Sequence, residues 1–344
     1  MHDGSPPVGP GAGDSDSWPA QLTEVFERSI TAEFATLTRT GAPVTVPTTP
    51  YVGETARTLD VSTGLTYPAK AERARRNPRV AVLFADTVGS SRRDTTVVAV
   101  QGMARVRDAD LQANTDRYVR ASMQKLPEAT RGVPRFVLRR LAWYFTRIWV
   151  EVTPLHIQWW ESRALERTLG AWHAPDGTAA PLSDPAPSGP QPRRWLEPPG
   201  AWQPMARAAV ARLSQHDLTV VDANGFPLCL PVARSRLTDE GFALTLGPAA
   251  PDVESGPACL TMHAHPEAFV GQENRTFVGE VVGAGNGEPF LRVERALAHW
   301  SIAGPALPRS VRFLMNGRRL APRLAPEAAR RLQPVPAVRL PGRS

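Results

Sequence analysis

A seven-residue motif occurs twice in this chain of 344 residues. GAPVTVP begins at residue 41 and GFPLCLP begins at residue 225, so the pattern Gly-x-Pro-x-x-x-Pro recurs after 184 positions. In such a motif the glycine can take a positive φ at a hairpin corner, and the prolines suit strand positions that need no ladder N–H. Each copy therefore predicts a hairpin that leads into a strand.

The patterns that follow the motif are repeated in the same order. VQGMARV in the first half matches FVGEVVG in the second, so that Gly102 corresponds to Gly279. Trp300 corresponds to Trp159 or Trp160 of the first half. Each copy shows about six strands and a helix in roughly 130 residues, with hairpin turns and no βαβ alternation. The sequence therefore predicts a mainly β fold with peripheral helices, built from two tandem barrels of antiparallel strands.

Composition divides the chain into five segments. We expect a disordered leader at 1–17, a first barrel at 18–162, a linker rich in Pro and Gly at 163–203, a second barrel at 204–315 and a basic disordered tail at 316–344. Residues 317–344 hold seven Arg and one Glu, which is +6 of the net charge of +7. A basic tail rich in Pro and Ala is typical of a solvated extension, so we expect no nucleic-acid partner.

Cysteine usage and hydropathy indicate in which cellular compartment the protein is expected. Cys229 and Cys259 lie in apolar runs without CxxC spacing, which favours reduced thiols over a disulfide or a metal site. The first twenty residues lack a secretory pattern, and no stretch approaches the ~18 apolar residues of a membrane span. We expect a cytoplasmic protein that binds no metal and no membrane.

Lysine is scarce, because 38 of the 40 basic residues are Arg and only Lys70 and Lys125 are Lys. Lys70 lies in the first turn of a short predicted helix, directly after a strand that ends in VSTG. Hydroxyls of Ser62, Thr63 and Thr66, the free N–H groups of the helix start and one ammonium would form a phosphate cradle. The alternative is an ordinary solvated lysine on a charged helix.

The segment TLDVSTGLTYPAKAERARRNPRVAVLF resembles the pyridoxamine 5'-phosphate oxidase-like, FMN-binding split-barrel flavoproteins. The spacing from Lys70 to Asn77-Pro78 is the spacing of that family. The resemblance continues through Gly102 and through the closing strand VTPLHIQWW. It covers about residues 20–162 well and residues 205–303 less closely.

The resemblance implies a split β-barrel for each copy and FMN as the cofactor. It places Lys70 at the flavin phosphate and Thr63 at the phosphate or the ribityl chain, while Ser62 is a candidate from the hydroxyl cradle alone. The other implied cofactor contacts lie at the flavin ring: Thr45, Val46, Pro47 and Trp160.

The same resemblance implies a flavin-dependent oxidoreductase that transfers hydride at flavin N5 to or from an unknown small molecule. Catalytic residues stay unassigned, and the closing Arg-x-His-x-Arg motif of pyridoxamine phosphate oxidases is absent after Trp160. A deazaflavin coenzyme is an alternative to FMN. A non-catalytic flavin-binding or haem-binding protein is an alternative function, with His263 and His265 of MHAH as candidate haem ligands.

In this family the flavin commonly lies between two subunits, so the second barrel is expected to act as a built-in partner in an intramolecular pseudo-dimer. A homo-oligomer stays open. The second copy contains no Lys and no Lys-x6-Asn-Pro helix, so we expect it to be degenerate, with one flavin per chain. A second site would have to use Arg234 or Arg236.

Overall fold

A computed structural model describes residues 18–54, 57–189, 201–283, 288–297, 301–302, 304 and 306–342. The predicted leader and Trp300 lie outside these residues. The described strands form two antiparallel sheets. The first sheet contains β1 (Ala32–Leu37), β2 (Pro43–Thr48), β3 (Pro50–Val52), β4 (Leu59–Gly64), β5 (Arg79–Phe84), β6 (Val97–Arg107), β7 (Arg147–Trp160) and β8 (Thr168–His173). The second sheet contains β9 (Gln215–Val221), β10 (Pro227–Pro231), β11 (Arg234–Leu237), β12 (Gly241–Thr245), β13 (Gly256–Ala264), β14 (Glu273–Val282) and β15 (Phe290–Ala296).

Eight α-helices accompany the sheets within the described residues. They are α1 (Thr23–Arg28), α2 (Ala69–Arg76), α3 (Leu111–Lys125), α4 (Arg135–Arg139), α5 (Ala142–Phe145), α6 (Trp202–Arg212), α7 (Ala306–Leu320) and α8 (Leu324–Arg330).

The two sheets have the same topology. The first runs β2-β1-β5-β6-β7-β4-β3, with β8 added beside β7, and the second runs β10-β9-β13-β14-β15-β12-β11. Strands β2 and β3 are the two edge strands of the first sheet, yet only Thr49 separates them in the chain. The sheet must therefore curl until its edges meet, because one residue spans no more than about 3.6 Å. The predicted mainly β fold of two tandem split barrels is confirmed.

The hairpin corners of the repeated motif also match their prediction. Gly41 has a φ of 81° and Gly225 a φ of 76°, values that favour glycine. Each glycine leads into an edge strand, β2 or β10, that carries the two prolines of its motif. Proline is tolerated there because one side of an edge strand has no ladder to join.

The barrels pack through these edge strands. Strand β2 contacts β13 and β14 of the second barrel, while β10 contacts β5 and β6 of the first. Because β13 and β14 occupy the places of β5 and β6 in the repeated topology, the contact is reciprocal, as in a two-fold dimer.

Thr45 lies at the centre of this contact and is fully buried. Its hydroxyl shares a 2.7 Å hydrogen bond with that of Thr219. Its carbonyl oxygen accepts hydrogen bonds from the hydroxyls of Thr261, at 3.0 Å, and Thr276, at 3.1 Å. Side chains of the second barrel thus satisfy a backbone group of β2 that its own sheet leaves free.

One segment prediction, the disordered tail, differs from the structure. Residues 316–342 do not form a disordered tail, since they contain the end of α7, a 3-10 turn and α8, and then run extended along the first barrel. Buried Leu324 and Ala328 belong to the core of that barrel. The predicted linker also contains a strand, β8, that pairs with β7. The basic and proline residues dominate the composition of the C-terminal segment. The apolar residues between them are nevertheless buried against the first barrel, and this burial orders the segment.

Arg331 fixes the C-terminal segment to the first barrel. Its side chain is 3% exposed and forms ion pairs with Glu72 at 3.0 Å, Asp108 at 2.8 Å and Glu327 at 2.7 Å. Each carboxylate also has a second cation, since Arg75 pairs with Glu72 and Asp108, and Arg330 pairs with Glu327. Arg331 is the residue that joins all three.

We predict that Arg331→Ala lowers the free energy of unfolding by about 2 kcal/mol, because charge-assisted contacts of a buried cation are lost while Arg75 and Arg330 still pair with the carboxylates. Arg339→Ala is the matched control, since Arg339 is 67% exposed and its ion pair among the described residues is with Asp116, at 3.2 Å. That control should cost less than about 1 kcal/mol. Chemical denaturation of both variants measures the difference, and equal stabilities would contradict the role of Arg331.

We also predict that the two halves stay associated after the chain is cut. A protease site placed between residues 190 and 200 would cut the covalent link between the barrels. The contacts of β2 and β10, and those of the C-terminal segment with the first barrel, would stay in place. The fragments should co-elute in size-exclusion chromatography, at the volume of the uncut protein carrying the same site. Two folded fragments that elute separately would show that the interface is too weak to hold a pseudo-dimer.

Candidate functional site

The candidate site lies at one end of the first barrel, where β4 passes into α2. Gly64, the last residue of β4, pairs with Arg147, the first residue of β7. A Cβ at Gly64 would lie 2.5 Å from the Tyr67 ring, so a larger residue would displace that ring. The N–H of Leu65 donates to the Thr146 carbonyl at 3.0 Å and fixes the turn against β7.

Arg147 is a buried cation held by tyrosines. Its Nη1 donates to the Tyr67 hydroxyl and its Nη2 to the Tyr118 hydroxyl, each at 2.9 Å. Its guanidinium carbon also lies 4.2 Å from the centre of the Tyr118 ring and 4.9 Å from that of Tyr144. No described acidic residue forms an ion pair with Arg147, and its Nε has no hydrogen-bond partner among the described residues.

Lys70 lies in the first turn of α2 and is partly buried. Burial, together with the charges of Arg147 and Arg73, lowers the pKa of Lys70 from 10.5 to about 7. Its ammonium has no hydrogen bond or ion pair with a described residue. The site therefore concentrates positive charge without a carboxylate to balance it.

Two hydroxyls also lack partners, one in this turn and one just before β7. The Oγ1 atoms of Thr66 and Thr146 are buried and have no hydrogen-bond partner among the described residues. Unsatisfied buried donors are costly, so they commonly mark a place where a ligand supplies the partner. A phosphate group fits this set, because it offers negative charge to the cations and acceptor oxygens to the hydroxyls and to the N–H groups at the start of α2.

The structure brings some of the predicted site residues together. Thr63 precedes Gly64 on β4, and its hydroxyl donates to the Tyr67 carbonyl at 3.2 Å. Ser62 precedes Thr63 on β4 and is buried. Ser62 and Thr63 thus lie at the same end of the barrel as Lys70, and their contact with a cofactor stays a prediction.

Other predicted residues lie elsewhere. Thr45 pairs with Ala35 and faces the second barrel, whereas the neighbouring Thr36 accepts a 2.7 Å hydrogen bond from Arg73 of α2. Because side chains alternate along a strand, Thr45 and α2 are on opposite faces of the sheet. Val46 and Pro47 follow on β2 and are partly buried. Their contact with a flavin ring stays a prediction.

Trp160 is fully buried against the second barrel, where its indole N–H donates to the Ala249 carbonyl at 3.0 Å. It ends β7, the 14-residue strand that Arg147 begins. At a rise of about 3.3 Å per residue, roughly 40 Å of strand separates the two residues. The structure therefore does not place Trp160 beside Lys70 within this site.

The second barrel shows no equivalent of the Lys70 site among its described residues. The segment between β12 and β13, which corresponds to the one that carries α2, contains no helix. Arg234 and Arg236 are exposed on the edge strand β11. His263 is enclosed by carboxylates, and His265 contacts Asp86 and Thr31, each at 2.9 Å.

Sequence reasoning missed Arg147, Tyr67 and Tyr118. Arg147 is one of 38 arginines, and Tyr118 belongs to α3, so no local motif joins them. Arg147 reaches this site because it pairs with Gly64. That pairing follows from the register of β4 and β7, which the sequence does not reveal.

No family model matches the chain, and no curated protein matches it. Several solved structures are similar at low identity. A protein described as F420 reductase is 15% identical with a TM-score of 0.31, over 41% of this chain and 98% of that one. A pyridoxamine 5'-phosphate oxidase-related, FMN binding protein from Nostoc punctiforme is 15% identical with a TM-score of 0.31, over 42% of this chain and 83% of that one. A FAD-binding protein from Mesorhizobium loti is 15% identical with a TM-score of 0.27, over 40% of this chain and 89% of that one.

Each of these similarities covers less than half of this chain. Within the described residues, no helix combines the length and the apolar character needed to cross a membrane.

We predict that Lys70 titrates near pH 7 and that inorganic phosphate raises its pKa. The ammonium predominates below pH 7, so phosphate affinity should fall as the pH rises through this value. Reductive 13C-methylation followed by NMR would resolve both lysines of the chain. Lys125 is the internal control, because burial lowers its pKa to about 7 as well, while its Nζ donates to the Pro50 carbonyl at 2.5 Å.

Phosphate should leave the titration of Lys125 unchanged. A pKa of Lys70 near 10.5, or equal phosphate shifts at both lysines, would contradict an anion site at Lys70.

Proposed function

We propose that this protein binds the phosphate of a flavin nucleotide at Lys70 and Arg147 and acts as a flavin-dependent oxidoreductase on a small molecule. The observation that carries the proposal is the pair of cations at the start of α2, neither of which forms an ion pair with a described acidic residue. A buried charge is costly unless an opposite charge accompanies it. A phosphate monoester is the ligand that would balance these two.

The surroundings of the cations suit a ligand with an aromatic part. Tyr144 lies against Arg147 and also contacts Phe313 of α7, with ring centres 5.4 Å apart. Trp143 lies 5.0 Å from the same phenylalanine. The C-terminal half of the chain thus adds an aromatic side chain at the edge of the site, and this supports a cofactor bound between the two halves.

FMN is the proposed cofactor, and a deazaflavin coenzyme carrying a phosphate would use the same cations. Either group supplies hydride transfer once bound. Lys70, Arg147 and Thr66 would hold and orient the phosphate end, and the tyrosines around Arg147 would keep its guanidinium in place. The residues that contact the substrate stay unassigned.

We propose one such cofactor per chain, because the second barrel offers neither a lysine nor a helix at the equivalent position. We also propose a cytoplasmic protein with reduced thiols and no membrane or nucleic-acid partner. Cys229 and Cys259 are free and buried. Burial raises the pKa of both thiols, which keeps them protonated and unreactive.

We predict that Lys70→Met weakens FMN binding by about 2 kcal/mol, or about 30-fold, because one charge-assisted contact with the phosphate is lost. Riboflavin, which lacks the phosphate, should bind both proteins equally. Flavin fluorescence titration at pH 6, where Lys70 is charged, measures all four affinities.

Lys125→Met is the matched control, since it removes the only other lysine and should leave FMN affinity unchanged. Equal weakening of FMN and riboflavin by Lys70→Met would show a general disturbance of the fold. Unchanged FMN affinity would remove Lys70 from the site. A Soret band in the protein as isolated would favour the haem-binding alternative, and protein that takes up no flavin would refute the proposal.

A further inference from the structure

Four ionisable side chains meet between the two barrels, on the opposite side of β1 from α2. We name this group the interbarrel cluster: Glu33 of β1, Asp86 just after β5, Asp217 of β9 and His263 of β13. Each is at most 2% exposed. Charged groups are almost never buried so fully unless they are paired or bind a metal.

Two members of the cluster occupy equivalent places in the repeated fold. Glu33 pairs with Pro47, the last residue of the first motif, and Asp217 pairs with Pro231, the last residue of the second. The reciprocal packing of the barrels therefore brings together one carboxylate from each copy. The duplication itself creates an acidic pair near the pseudo-two-fold axis.

His263 completes this pair. Its Nε2 lies 2.6 Å from Oε1 of Glu33 and 3.7 Å from Oδ2 of Asp217. One ligand atom from each of the three residues lies within 4.8 Å of the others. Nevertheless both carboxylate oxygens of Glu33, Oδ2 of Asp217 and Nε2 of His263 have no hydrogen-bond partner among the described residues. The short approach of Glu33 to His263 is therefore not directed as a hydrogen bond.

We propose that Glu33, Asp217 and His263 bind one divalent first-row transition-metal ion, which cross-links the two barrels. An imidazole nitrogen with two carboxylate oxygens is a typical ligand set for zinc, manganese or iron, whereas calcium and magnesium prefer oxygen alone. The convergence of unpartnered ligand atoms from both barrels carries this inference, which does not depend on the flavin.

The neighbouring residues are arranged as an outer shell for such a site. The other nitrogen of His263, Nδ1, faces Asp86 Oδ2 at 3.9 Å, and Asp86 is held by His265 at 2.9 Å. The second oxygen of Asp217 accepts a 2.9 Å hydrogen bond from Arg163. Carboxylates behind a ligating imidazole orient it and raise its basicity.

Charge balance points the same way. With all carboxylates ionised, Glu33, Asp86 and Asp217 carry three negative charges. Arg163 and, when protonated, His265 offset two of them. A divalent cation would neutralise the excess charge that burial disfavours.

The test is the metal content of the full-length protein. The chain is unfolded in denaturant with EDTA, refolded with or without ZnCl2, passed through a desalting column and measured by elemental analysis. We expect about one zinc ion per chain after refolding with ZnCl2. Glu33→Gln and His263→Asn should each weaken zinc binding by more than the about 10- to 100-fold that loss of an outer-shell partner costs.

His173→Asn is the matched control. His173 is exposed and stacks on His156 with ring centres 4.4 Å apart, so this pair is the competing zinc site on the surface. Zinc retained in His173→Asn and lost in Glu33→Gln supports the proposal. The reverse result overturns it, as does wild-type protein that refolds without stoichiometric zinc, which would leave the cluster as protonated groups.

If Glu33→Gln or His263→Asn fails to refold, the wild-type protein still tests the proposed zinc site. Anomalous scattering at the zinc edge from crystals of the refolded protein would place the ion. Density between β1, β9 and β13 supports the cluster, and density anywhere else refutes it.

Discussion

The contact of β2 with the second barrel is the constraint on which the rest of this structure depends. A split barrel has two edge strands, and exposed edges invite pairing with other chains. Here each barrel covers an edge of the other, since β2 contacts β13 and β14 while β10 contacts β5 and β6. Threonine hydroxyls satisfy the Thr45 carbonyl across the interface. This mutual cover gives a physical reason for two copies of one fold to stay in a single chain.

The same arrangement determines where buried charge accumulates. The duplicated strands β1 and β9 bring Glu33 and Asp217 together near the pseudo-axis, and His263 of β13 joins them. Cations gather instead at the end of the first barrel, where Lys70 and Arg147 have no carboxylate partner among the described residues. Both groups would be expensive if left uncompensated, because the interior does not solvate ions as water does. Their opposite signs predict two different ligands, an anion at one place and a cation at the other.

The two halves have diverged in what surrounds these shared strands. In the first half, the segment between β4 and β5 forms α2 and carries Lys70, whereas the corresponding segment of the second half has no helix. The C-terminal segment returns to the first barrel, where Arg331 joins Glu72, Asp108 and Glu327. Phe313 of α7 reaches the aromatic side chains beside Arg147. The second half therefore covers an edge of the first barrel and stabilises it through the C-terminal segment.

The sequence by itself determined the duplication, the mainly β class and the lysine at the start of a short helix. These follow from local chemistry: glycine at a positive φ, proline on edge strands, and the period of two in a strand. The tertiary structure alone decided that Arg147 joins Lys70, that Thr45 faces the second barrel and that Trp160 lies at the far end of β7. It also decided that the basic C-terminal segment is ordered. Strand register and burial bring together residues that are far apart in sequence, and no local pattern records these contacts.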